Sequence, residues 1–314
     1  VNTPYRLTLT AASAGERLDK TLVAALGDRL SRSQIQTLIA EGSVLVNGMP
    51  ARSGWRLKGG ETITIDLPPA PDRSAEPTIT AEPIPLNVVY EDEDVAVIDK
   101  PAGLIVHPGV QQEEGTLVHA LLARFPQIAE IDYAPQRRGI VHRLDKDTSG
   151  LIVVAKHARA MRRLMRQFAE RTVEKEYLAL TERPPRTPTG RIEAPIARDP
   201  VNRKKMTVTR GGRPAVTEFR VIERFKDGRT LIRLKLLTGR THQARVHMAF
   251  INCPLVGDSV YGFKRQQLGL RRQFLHAASL SFTQPSTGER LHFESPLPDD
   301  LARVLETLRR SSIS

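Results

Sequence analysis

A single cysteine, Cys253, occurs in the 314 residues, which excludes an intrachain disulfide and any cysteine-rich zinc site. The chain also lacks a long apolar run: its N-terminal stretch VNTPYRLTLTAASAGERLDK has no signal-peptide core, and no later segment approaches a membrane span in length. Neither secretion nor membrane insertion is expected, and a reducing cytoplasm fits the lone thiol. No G-x-S-x-G elbow, phosphate-binding glycine loop or H-E-x-x-H pair is present, and His242 and His247, five apart, would diverge on a helix. What the chain has in excess is positive charge. Its 47 Lys and Arg outnumber 35 Asp and Glu, for a formal net charge of +12, and clustered arginines point to a polyanionic partner.

Residues 16–67 form one unit by pattern. Leu18, Leu22, Val23 and Leu26 recur at helical spacing, and so do Ile35, Leu38 and Ile39 after the helix start Ser31-Arg32-Ser33. Gly42 stops the second helix, Val44, Val46 and Asn47-Gly48 announce a hairpin, and Ile63, Ile65 and Leu67 alternate as a strand. Residues 68–85, rich in proline, read as a stiff extended linker. From 86 to 314 strands and helices mix without regular alternation, which predicts an α+β domain on a mixed, largely antiparallel sheet. Within it Val95–Ile98 and Leu151–Ala155 read as buried strands, His157–Arg171 as a helix with a core stripe of Met161, Leu164, Met165 and Phe168, and Arg240–Phe250 as another helix. Two strands, 215–225 and 230–237, should meet at the turn Asp227-Gly228.

The densest polar cluster is HRLDKDTSG, residues 142–150, set between the apolar runs Gly139–Val141 and Leu151–Ala155. It has the pattern of a reactive loop anchored on a rigid sheet. His142, Asp145 and Ser149 supply the residue types of a hydrolase triad, but they stand too close in sequence to converge.

Two resemblances give the cluster a meaning. RLDKTL, SRSQIQTLIAEGSVLVNG and LKGGETITI resemble the S4-type RNA-binding domain, which implies RNA contacts from Arg17, Lys20 and Arg32, with Arg29, Arg52 and Lys58 as further candidates. HRLDKDTSGLIVVAK, EKEYLAL, LLTGRTHQARVHMA and PLVGDSVYG, in that order, resemble the RluA family of pseudouridine synthases, most closely its D-type, S4-bearing members that act on large-subunit ribosomal RNA. That resemblance implies a pseudouridine synthase fold and a cofactor-free, metal-free isomerisation. The bond between ribose C1′ and uracil N1 breaks, the base turns, and a bond to C5 forms. Asp145 would act at C1′ as nucleophile or on the neighbouring ribose carbon as base.

By the same resemblance, Arg240 would ion-pair with Asp145 and keep it charged, and Tyr177 would lie against the uracil and assist at C5. Arg143 would fill the place of the flipped base. His142 would orient the loop, contact RNA or serve as a structural histidine. Asp147 and Thr148 would shape the turn by bonding backbone amides. The implied partner is large-subunit ribosomal RNA inside pre-50S particles, at the helix 69 stem-loop of 23S RNA, bound by a monomer. Ala244, where isoleucine is usual, and the basic segment 263–273, shorter than expected, depart from the pattern; the second leaves another 23S site or transfer RNA as the alternative target. A non-catalytic ribosome-assembly factor is the reading from outside the enzyme class.

Overall fold

The computed structural model describes residues 5–8, 14–26, 30, 32–52, 54–66, 79–109, 113–202, 205–263 and 268–313. They fall into two compact units, 1–77 and 78–314. In the first, strand β1 (Tyr5–Thr8) is followed by helices α1 (Leu18–Leu26) and α2 (Arg32–Ala40) and strands β2 (Val44–Val46), β3 (Met49–Pro50) and β4 (Thr62–Ile65). The strands pair antiparallel in the order β1-β4-β2-β3. Leu18, Leu22 and Leu26 from α1 and Ile35, Leu38 and Ile39 from α2 meet Val44, Val46, Ile63 and Ile65 in one core, each side chain contributing about 1.5–3 kcal/mol by leaving water. Asn47 and Gly48 both have positive φ, the backbone that a two-residue hairpin turn requires. Of the cations expected to meet RNA, Arg17 is exposed but grips the buried Asp19 through two hydrogen bonds, Lys20, Arg52 and Lys58 are exposed, and the side chains of Arg29 and Arg32 lie outside the described residues.

The second unit begins earlier than the proline pattern suggests. Ile79 packs against its core, the Glu82 carboxylate accepts the Gly115 N–H and the Glu82 N–H donates to the His119 carbonyl. Residues 79–85 are therefore held to the large unit and are not free linker; 67–78 lie outside the described residues.

Its strands are β5 (Asn87–Glu91), β6 (Val95–Lys100), β7 (Ser149–Ala155), β8 (Glu174–Thr181), β9 (Thr189–Glu193), β10 (Ile196–Arg198), β11 (Met206–Val208), β12 (Val216–Arg224), β13 (Thr230–Leu236), β14 (Leu275–Thr283) and β15 (Arg290–Glu294). Its helices are α3 (Leu117–Arg124), α4 (Ala158–Glu170), α5 (Gln243–Phe250) and α6 (Asp299–Ile313). Nine strands form one sheet in the order β5-β6-β7-β14-β8-β13-β12-β9, with β15 on β14, while β10 and β11 make a separate ribbon. Every pairing is antiparallel except the short β7–β14 contact at Ser149–His276 and Gly150–Ala277.

β7 is buried along its whole length, as expected for an apolar run in the middle of a sheet. Gly150 sits in it with φ +111°, and a Cβ there would come within 2.3 Å of the Ala277 carbonyl. That close approach brings the β7 end of the polar cluster against β14. The basic residues of β13 are not a free cationic face: Arg233 pairs with Glu176 and Lys235 with Glu174 across to β8.

Candidate active site

The loop that enters β7 is fixed from several sides. Lys100, at the end of β6, is fully buried, and its ammonium donates to the carbonyls of Pro101 at 2.8 Å, Leu104 at 2.9 Å and Lys146 at 3.0 Å. Burial pushes Lys100 down to about 7, against the pull of Asp147 and Asp145. Arg272 donates to the Asp147 carbonyl while held in a double hydrogen bond by Asp300, and Gln273 donates to the Thr148 hydroxyl. The His276 Nε2–H donates to the Ser295 carbonyl, so its Nδ1 accepts from Ser149. The turn is thus held by side chains from β6, from the segment before β14 and from β14, and among the described residues neither Asp147 nor Thr148 bonds a backbone amide through its side chain.

Asp145 projects from this loop into a cleft of about 510 Å³, a size typical of small-ligand sites. Arg245 Nη1 donates to Asp145 Oδ2 at 3.2 Å. The same guanidinium forks onto Asp258 at 2.7 and 2.9 Å, and Asp258 Oδ1 also accepts the Val260 and Tyr261 N–H groups. Burial alone would raise the Asp258 carboxyl, but Arg245 and these amides hold it below its ordinary value. Burial alone would lower Arg245, and Asp258 first and Asp145 second raise it instead. One guanidinium therefore links a fully buried carboxylate, which fixes it, to the carboxylate in the cleft.

Arg240, expected to fill that role, does not. The helix begins at Gln243 and not at Arg240, because Gln243 folds back: its Oε1 accepts the Arg240 N–H and the Thr238 hydroxyl, and its Nε2 donates to the Val216 carbonyl and Thr217 hydroxyl. Arg240 is left in the preceding turn, where its Nε donates to the Pro214 carbonyl on the rim of the cleft. Arg245, five residues on and inside the first turns of α5, reaches the carboxylate.

Tyr177 of β8 is buried and lines the cleft. Burial, and then the charge of Asp145, raise its phenol well above the usual range. His142 takes its structural option: its Nε2 accepts the Val153 N–H at 3.0 Å, its ring stacks on Phe168, and burial, with Lys175 nearby, pushes it down to about 3. This ring is tied to β7 and α4 and still lines the cleft. Arg143 is exposed at the cleft, with no hydrogen-bond or ion-pair partner among the described residues.

Other lining residues carried no sequence signal strong enough to single them out. Met165 and Phe168, read as pure core, line the cleft, and Met165 is 39% exposed. His107, pushed down to about 4 by burial, Arg143 and Arg137, lies there too. Arg137, Arg143, Arg171, Lys175 and Arg240 make the wall and rim cationic. Mutual repulsion is visible at Arg240, lowered by burial and then by Arg213 and Arg171. Asp258, which anchors Arg245, lies within PLVGDSVYG, but nothing in that stretch marks it as the partner of an arginine 13 residues before it.

A carboxylate gripped by an anchored guanidinium at the floor of a cationic cleft defines an enzyme that acts on a polyanion. The comparisons give the class: the chain belongs to the RNA pseudouridylate synthase family, whose model matches residues 94–250, and an S4 domain matches residues 16–63. It is 42% identical over 308 residues to an uncharacterized RNA pseudouridine synthase of Bacillus subtilis, covering 97% of this chain and 98% of the relative. It is 45% identical over 315 residues to the ribosomal large subunit pseudouridine synthase D of Neisseria meningitidis, covering 96% of this chain and 81% of the relative. Among solved structures it resembles human RNA pseudouridylate synthase domain containing 4, with a TM-score of 0.57 at 27% identity, covering 71% of this chain and 93% of that one. The protein is therefore an RNA pseudouridine synthase with an S4 domain.

Proposed function

We propose that the enzyme converts uridines of 23S large-subunit ribosomal RNA to pseudouridine, at the helix 69 stem-loop, acting as a monomer on pre-50S particles in the cytoplasm. The name of the Neisseria relative supports the large-subunit target, and the S4 match is consistent with a structured RNA. We further propose that the two units work as an RNA-binding domain within 16–67 and a catalytic domain within 86–314, with Arg17, Lys20 and Arg32 contacting RNA from the first.

The observation that carries the mechanism is the Asp145–Arg245 pair, with side chains 16% and 6% exposed. Arg245 occupies Oδ2, while Oδ1 accepts no hydrogen bond among the described residues. Asp145 is the reacting group: with a uridine flipped into the cleft, its free oxygen faces the ribose, either to attack C1′ or to take a proton from the neighbouring carbon. Each route releases the base from C1′ so that it can turn. C5 then bonds to C1′, displacing Asp145 in the first route or with Asp145 returning its proton to the ribose in the second. The proton lost from C5 is matched by one gained at N1, so the isomerisation balances within the substrate. Tyr177 packs against the uracil during that turn, holding its own proton. Arg143, planar, charged and uncommitted, fills the vacated stack and offsets the unstacking cost of about a few kcal/mol. Arg240 holds the RNA backbone at the rim.

Pseudouridine mapping of ribosomal RNA with and without the gene tests the target. Loss of the helix 69 signals is expected in the deletion strain, and an unchanged helix 69 with losses elsewhere in 23S RNA or in transfer RNA would move the target there.

A further inference from the structure

His242 is the residue whose placement the reaction so far leaves unused. It adopts left-handed backbone (φ 56°, ψ 19°) immediately before α5, a conformation uncommon outside glycine in which Asn, Asp and His are the enriched side chains. It lines the cleft with Asp145. Its Nδ1 lies 2.9 Å from the Tyr261 hydroxyl, and the rings meet edge to face at 5.7 Å. That hydroxyl also accepts the Met206 N–H at 2.8 Å. With its accepting side occupied by Met206, the phenol has its proton to give, and the acceptor in reach is His242 Nδ1.

The proton on Tyr261 is secure, because burial raises the phenol above its ordinary value. The ring is also pinned by the Arg245 guanidinium, 5.1 Å from its centroid. An imidazole that accepts at Nδ1 carries its own hydrogen on Nε2. Burial lowers His242 and outweighs the raising effect of Asp145, so the ring is neutral: it can donate from Nε2 without surrendering a proton. No other side-chain hydrogen bond to this imidazole occurs among the described residues.

We propose that His242 is a catalytic residue whose Nε2–H donates to a uracil carbonyl oxygen of the flipped uridine, and that Tyr261 is a positioning residue that sets this tautomer. When the C1′–N1 bond breaks, its electron pair passes to the uracil ring and charge collects on the carbonyl oxygens. A fixed N–H aimed there favours the transition state over the bound substrate. His242 keeps its proton throughout, so no acid or oxidant beyond the substrate is needed. The proposal rests on the pseudouridine synthase reading and not on which RNA is the target.

His242→Gly and His242→Asn test it, since both residues accept left-handed backbone and only Asn retains an N–H donor. In single-turnover reactions on a large-subunit RNA transcript, His242→Gly is expected to slow pseudouridine formation about 100-fold with RNA affinity within about twofold of wild type, as for loss of one donor to a developing oxyanion. His242→Asn should stay within about tenfold of wild type. A rate within about threefold of wild type for His242→Gly, an equal loss in both variants, or a loss confined to RNA affinity would overturn the proposal. The ¹⁵N spectrum of His242 in the free enzyme gives an RNA-independent readout: it should show the Nε2–H form, and Tyr261→Phe should convert it to a mixture. A Tyr261→Phe spectrum identical to wild type would overturn the positioning role. Wild-type turnover on the transcript is scored first, so that a wrong choice of RNA fails there and not at His242.

Discussion

Arg245 and Arg240 differ by five positions and are predicted to differ in consequence by an order of magnitude or more. Arg245 is 5% exposed and joins Asp145 to Asp258, itself fully buried. Arg245→Met removes the guanidinium from both. Asp258 would keep only its two backbone amides, and breaking a buried pair from one side costs about 3–5 kcal/mol. For a unit of this size each kcal/mol lowers Tm by roughly 2–4 °C, so thermal unfolding should move down by about 6–20 °C. Single-turnover pseudouridine formation should fall at least about 100-fold at temperatures where the variant is folded, because Asp145 loses the donor on Oδ2. Arg245→Lys should rescue little, since an ammonium cannot fork onto Asp258 and reach Asp145 together. Arg240→Met gives up one hydrogen bond to the Pro214 carbonyl, with a stability cost of about 1 kcal/mol or less and a loss mainly in RNA affinity. If Arg240→Met instead abolished turnover while Arg245→Met spared it, the assignment of the ion pair would be refuted.

His142, pushed down to about 3 by burial, stays neutral in the fold where an unfolded chain would protonate it below about 6.5. The unfolded state then binds more protons, so stability falls with falling pH through the window from about 6.5 to 3. At about 1.4 kcal/mol per pH step the loss reaches about 2 kcal/mol by pH 5. His142→Gln should flatten that part of a Tm-against-pH curve, and an unchanged slope would contradict the buried neutral ring. Gly150→Ala would set a Cβ 2.3 Å from the Ala277 carbonyl at φ +111°, so it should fail to accumulate as folded protein, measured by soluble yield and circular dichroism; a wild-type melting curve would refute the close approach. Replacing Arg143 by Ala should weaken RNA binding and slow pseudouridine formation, and Arg143→Lys should restore them only in part, since an ammonium keeps the charge but cannot stack like a planar guanidinium; full rescue by Lys would count against the stacking role.

Much of the small unit was legible because its signals are local. Helical spacing marked Leu18, Leu22, Ile35 and Leu38, and Asn47-Gly48 marked the hairpin, all in the positions found. The buried strands β6 and β7 were legible for the same reason. The site was only half legible. Asp145 and Tyr177 line one cleft, but the partner of Asp145 was misread. Nothing in TGRTHQ announces that the Gln243 side chain takes the Arg240 N–H and delays the helix. A start three residues later leaves Arg240 out and puts Arg245 on the inner face. The need for Arg245 also depends on Asp258, 13 residues beyond it, a contact with no periodic signature. His142 could not be decided from sequence, because its acceptor role requires the Val153 N–H and the Phe168 ring, brought together only by packing α4 on β7.

Asp145→Asn, made in the full chain and assayed in single turnover on large-subunit ribosomal RNA, tests the central claim most directly. The asparagine can still meet Arg245 through its carbonyl oxygen but can neither attack C1′ nor take a proton. Pseudouridine formation is predicted to fall by about 10⁴-fold or more, the scale seen when a nucleophile or its base is removed, with RNA bound as tightly as by wild type. A rate within about tenfold of wild type would contradict the account.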